Sequence, residues 1–157
     1  GDILMANTIF TRWIKVQNSK LYGWDSSTTV RAMLEDNAST YVPDPDHETV
    51  QEVIDGGFVE LSASGYSRAT LTGKTVYQDD TNDEAQLRCD NPNFGAIESG
   101  KTIKGVLLFI RVGSSDSASS DIPVAYIDTA TGLPLSTGGG SVVLSVPVTG
   151  IFKAYQP

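Results

Sequence analysis

Disulfides are the first thing this sequence lacks: Cys89 is the only cysteine in 157 residues, so no intrachain bridge can form and packing must hold the fold. Long apolar runs are missing too. The longest is Val106 to Ile110, five residues, against the roughly 20 that a membrane-spanning helix needs. Positive charge is scarce, with 11 Lys+Arg against 19 Asp+Glu and a net charge of -8. No basic stretch interrupts that excess, which argues against a nucleic-acid partner, whose affinity comes from phosphate neutralisation. The N-terminus, Gly1-Asp2-Ile3-Leu4-Met5, has no basic region followed by an apolar one and a small-residue cleavage site, so synthesis in a reducing cytosol is expected. Lys and Glu, the long residues that fill exposed helix faces, number only six each.

What is present points to strands and turns. The 31 Ser+Thr and 15 Gly favour extended segments and tight connections. The 39 % apolar content is too high for a disordered chain, and the length suits one domain over residues 1–157, burying about 68–70 % of its surface.

Periodicity then places the elements. Thr29 to Glu35 sets Val30, Ala32 and Leu34 on one face and Arg31 and Glu35 on the other, the pattern of a half-buried strand. Ile9 to Val16 alternates less cleanly, as either a strand or a short helix turn would, and is read as a strand. Two prolines, Pro43 and Pro45, make 37–46 a loop. Asp46 can cap a short helix near residues 47–55 in which Val50, Val53 and Ile54 share a face, and Gly56-Gly57 stop it. Strands follow over Phe58–Ala63, Arg68–Thr72, Lys74–Gln78 and Glu84–Cys89, the last two joined by the turn Asp79–Asp83. Ile103 to Val112 lacks alternation at its centre and predicts a central strand covered on both faces. Ile122–Ile127 is another strand, Thr129–Gly140 a long surface turn, and Val142–Val148 with Ile151–Tyr155 a final pair, with Pro147 at an edge or bulge. Together they predict an all-β, antiparallel β-sandwich or jelly-roll-like barrel with one short helix.

Chemistry-bearing clusters are thin. His47, the only histidine, lies beside Asp44, Asp46 and Glu48, yet a catalytic zinc takes three protein ligands and a hydrolase triad needs a positioned nucleophile. A solvated helix N-terminus is the better reading. Asp79, Asp80, Asp83 and Glu84 offer oxygen ligands for calcium but lack the calcium-loop spacing. Cys89 follows Arg88 but stands where a small buried hydrophobe is expected. Gly138-Gly139-Gly140 has no phosphate-loop lysine after it. Tyr22, Trp24, Tyr41 and Tyr66 read as core or interface sooner than as a sugar platform. No cofactor, catalytic or metal-binding residue is assigned.

The order of certain segments resembles a family of small structural proteins encoded in the virion gene clusters of tailed bacteriophages. The matching pieces are Met5–Phe10, Gly23-Trp24-Asp25 leading into Val30–Leu34, Tyr41–His47, Gly65–Arg68, Leu71–Val76, Asp79–Asn82 and Ala125–Asp128. Each is short; the collinear series over most of the chain carries the resemblance. Ser114–Ser120 is a departure from it. The resemblance implies a non-enzymatic virion part, foremost a capsid decoration (cement) protein that contacts the major capsid protein. A neck, tail or fibre component and a carbohydrate-binding tail module are the alternatives. It also implies that Met5 is the natural start, with Gly1–Leu4 an upstream extension. A homo-oligomer, a trimer at threefold positions of the shell, would follow from symmetric sites. Ala6–Phe10, Ser39–Asp46 and Phe152–Pro157 are the segments expected to be free for contacts, with Phe10, Tyr41 and Tyr155 at the interface centre.

Overall fold

The computed structural model describes residues 8–19, 21–25 and 27–155, with Asn18 and Tyr155 described by backbone only. Its framework is antiparallel throughout: β1 (Thr8–Ile9), β2 (Val30–Asp36), β3 (Ala69–Thr70), β4 (Thr75–Asp79), β5 (Glu84–Arg88), β6 (Asn93–Ala96), β7 (Thr102–Ile110), β8 (Ile122–Ile127), β9 (Leu135–Ser136), β10 (Ser141–Val143) and β11 (Phe152–Tyr155). The helices are α1 (Thr11–Asn18) and α2 (Val50–Asp55). The main sheet runs β1-β8-β7-β2-β3, with β9 also paired to β7. A β10-β6 ribbon and a β11-β5-β4 sheet form the opposing layer, giving an all-β, sandwich-like architecture.

Strand β7 is central, paired with β2 on one side and β8 on the other. Its alternation is hidden because both faces are apolar: Val106, Leu108 and Ile110 enter the core between the layers, while Leu107 and Phe109 enter a second core. The first core is completed by Leu87 of β5, Phe94 of β6 and Phe152 of β11. Trp13 and Trp24 pack on Phe152, with ring centroids 5.1 and 5.6 Å away, and the Trp24 indole N–H donates to the Arg88 carbonyl at 2.9 Å. These contacts fasten α1 and the chain entering β2 to the smaller sheet. The second core is covered by α2 and the chain around it, through Tyr41, Val50, Val53 and Phe58.

Several local expectations are corrected. Ile9–Val16 is not one strand: after β1 the chain turns into α1, because Trp13 and Val16 are buried three residues apart while Arg12 and Lys15 face out. The cap of α2 is Thr49, not Asp46, in a reciprocal box with Glu52, and Ile54 keeps 38 % exposure where Val50 and Val53 are buried. Phe58–Ala63 contributes only the bridge Glu35–Glu60, since Phe58 and Leu61 turn into different cores. Within Thr129–Gly140 lies β9, which the leucine of Leu135–Ser136 helps seat against Ile103. The last two strands do not pair with each other; β10 joins β6, which the sequence did not reveal as a strand, and β11 joins β5. Gly65 and Gly95 explain how β6 is seated: both have positive φ, and a Cβ on Gly65 would collide with the Ala96 carbonyl oxygen. No side chain fits that approach.

Candidate functional site

The α2-covered face of the main sheet carries the most concentrated polar chemistry. Alternation along β2 sends Val30, Ala32 and Leu34 into the first core and leaves Arg31, Met33 and Glu35 on the opposite face. Glu35 is fully buried. Its Oε2 accepts from the Tyr126 hydroxyl at 2.5 Å, while Oε1 has no hydrogen-bond partner among the described residues. The Tyr126 ring meets Tyr41 edge-on at 5.4 Å, and the Tyr41 hydroxyl shares a hydrogen bond with His47 Nδ1 at 3.1 Å. Asp44 stands 3.9 Å from the other ring nitrogen. Burial pushes the Tyr41 hydroxyl up to about 12, against the pull of the Asp44 amide that donates to it. Burial, then the bond to Glu35, raises Tyr126 still further. Both phenols therefore stay protonated at neutral pH, and the chain of contacts ties the 37–47 loop to the sheet.

Farther along the same face, Asp116 gathers three arginines. Arg111 Nε donates to Oδ1 at 2.7 Å; Arg68 and Arg31 donate to Oδ2 at 3.0 and 3.1 Å. Arg68 also forks onto both oxygens of Glu60 at 2.8 and 2.6 Å and lies over the Phe109 ring at 5.6 Å. Tyr66 donates to Glu60 at 2.8 Å and accepts from the Leu34 amide at 3.0 Å. Burial alone would raise the Asp116 carboxyl, but the hydrogen bonds from Arg111 and Arg68 outweigh it and hold it below its ordinary range. The Glu60 fork raises Arg68. The Ser-rich loop is thus clasped onto the sheet, and Asp121 fixes its far end by accepting from the Val112 and Ser117 amides. Sequence reasoning missed this group because Arg31 and Glu35 read as a water-facing side of β2. Met33, apolar and between them, was the signal that this face is covered.

The residues singled out from the sequence fall elsewhere. Phe10 and Tyr41, expected at an interface centre, are 0 % and 4 % exposed and belong to the second core, so neither ring is available to a partner. The side chain of Tyr155 lies outside the described residues, as do Ala6, Asn7, Gln156 and Pro157; Phe152 is buried and β11 is paired. His47 is not simply solvated, since its ring stacks on Tyr41 at 5.8 Å between centroids. In the acidic turn, Asp79 is occupied by the amides of Thr81 and Asn82 and by the side chains of Asn82 and Gln86. Glu84 pairs with Lys153 at 3.0 Å. Among the described residues no group of three or more His, Cys, Asp or Glu side chains is arranged to hold a metal ion, and no helix is long and apolar enough to cross a membrane. Burial raises the Cys89 thiol to about 11. Trp13 and Trp24 are buried and offer no face for sugar stacking. An apolar gap of about 180 Å³ between Leu34, Phe94, Val106, Leu133 and Val142 is smaller than the roughly 300–1,000 Å³ of ligand pockets.

Neither a protein-family model, nor a curated protein, nor a solved structure matches this chain.

Proposed function

We propose that this chain is a non-enzymatic structural protein of a tailed-bacteriophage virion, made in the host cytoplasm and bound to the capsid shell as a decoration protein. Its partners are then the major capsid protein and further copies of itself. The series of segments that resembles phage virion proteins motivates this reading. The observation that supports it best is the use made of the charged side chains. Asp116 with Arg31, Arg68 and Arg111, Arg68 with Glu60, and Asp121 with two amides all fasten loops to the sheet. A virion part has to hold its loops in place outside the cell without disulfides, and these ties serve that need. A protein that binds only the assembled shell stabilises it by mass action, and a net charge of -8 favours solubility before assembly.

Particle composition tests the proposal. Quantitative mass spectrometry of the purified virion should find on the order of hundreds of copies, as the symmetry of a shell requires. A dozen or fewer would place the protein in the neck, tail or fibre instead, and absence from the particle would end the virion reading.

A further inference from the structure

Strand β4 forms one edge of the β11-β5-β4 sheet, and its residues Thr75 to Gln78 are all exposed. Val76 and Tyr77, on opposite faces, are 58 % and 47 % exposed. Folded proteins blunt such edges with proline, bulges, inward charges or very short strands. Several other sheet ends do so: β1 and β3 have two residues each, and β10 has three with a register shift. At the far edge of the same sheet, β11 carries Lys153, already engaged by Glu84. β4 has none of these devices. It pairs with β5 in unbroken register from Thr75–Arg88 to Asp79–Glu84, contains no proline, and holds its charges at the ends, Lys74 before it and Asp79 and Asp80 at its close. The Arg88 guanidinium lies 3.7 Å from the centre of the Tyr77 ring, which holds that side chain against the sheet.

We propose that β4 is a self-pairing edge: two copies of this chain join their β4 strands antiparallel about a twofold axis at Tyr77. The register follows from the sequence. With Tyr77 opposite its own copy, Val76 meets Gln78, Thr75 meets Asp79, and Lys74 meets Asp80, so each end of the junction sets a cation against an anion. Antiparallel self-pairing requires residues whose backbone groups point outward to meet others of the same kind, so the register can shift only in steps of two. Either shift breaks the Lys74–Asp80 match and shortens the paired segment. Pairing would merge two three-stranded sheets into one continuous sheet and satisfy the outward amides and carbonyls of both edges. The contact is isologous and closes at two copies. It is a twofold rather than the threefold association expected from the sequence, and it does not depend on the virion reading.

Sedimentation of the full chain from micromolar to millimolar concentration, with hydrogen exchange at both ends of the range, tests this. A monomer–dimer equilibrium is expected, in which alternate amides of Thr75–Asp79 exchange quickly in dilute protein and become protected in concentrated protein. Asp80→Lys, which sets lysine against Lys74 of the other copy, should weaken association about five-fold or more. Val76→Lys should abolish it. Both sites are exposed, and circular dichroism would verify that the variants fold. A monomer at every concentration, growth beyond two copies through a β4–β11 contact, association insensitive to both variants, or association without protection of β4 would each overturn the proposal.

Discussion

The Tyr126 hydroxyl and the Glu35 carboxylate lie 2.5 Å apart in the second core, with Tyr126 as the donor. Gly105, the register partner of Glu35 on β7, makes the space: a Cβ there would stand 2.7 Å from Glu35 Oε2. A buried carboxylate with one donor among the described residues depends heavily on that donor, because losing it leaves the desolvation cost uncompensated.

Tyr126→Phe should therefore destabilise the fold by about 2–3 kcal/mol. In a Glu35→Gln background, where no charge remains to be satisfied, the same change should cost about 1 kcal/mol. Urea denaturation of the four proteins in this cycle measures the difference. Equal costs in both backgrounds would show that the hydroxyl does not serve the carboxylate.

Leu108 is fully buried between the layers. Leu108→Ala should cost about 2–5 kcal/mol through lost burial and a residual cavity. A loss below about 1 kcal/mol in thermal or urea unfolding would contradict the packing of β7.

Asp116 predicts a pH dependence. Its carboxyl is held below the ordinary range in the folded chain, so the unfolded chain takes up its proton first as pH falls. The stabilisation is then complete at neutral pH and is lost as pH drops from about 4 through the lowered folded value. Asp116→Asn should remove the share of the acid-side slope that Asp116 contributes, leaving that of Asp25, Asp79 and Glu98, whose carboxyls are also lowered. It should also cost about 1–3 kcal/mol at neutral pH, less than a fully buried pair because the arginines keep 18–28 % exposure. A variant with the same slope as the parent would show that the clasp contributes nothing there.

Cys89 should react slowly. With the thiol raised to about 11 by burial, the folded chain at pH 8 should alkylate about 100-fold more slowly than the urea-unfolded chain, as two pKa units imply. Mass spectrometry of iodoacetamide-treated protein follows the reaction, and comparable rates would place Cys89 at the surface.

Local patterning by itself determined the all-β class, the antiparallel β4–β5 hairpin with its Asp-rich turn, and the strand Ile122–Ile127. Five apolar residues in a row were enough to make β7 central, because only a strand covered on both faces tolerates them. A strand's own alternation, however, says which residues share a face and not what covers that face. Arg31 and Glu35 therefore looked solvated, and Phe10 and Tyr41 looked free for a partner, until the 37–58 segment was seen folded over Met33, Leu107 and Tyr126. Three-residue spacing at Trp13 and Val16 was likewise ambiguous until Phe152, far away in the chain, gave their side of α1 something to pack on. The Asp116 clasp was beyond any local reading. Its arginines stand at 31, 68 and 111, and only the pairing of β2 with β7 and β3 brings charges so distant in sequence within hydrogen-bond reach, since sequence spacing carries no information about long-range register.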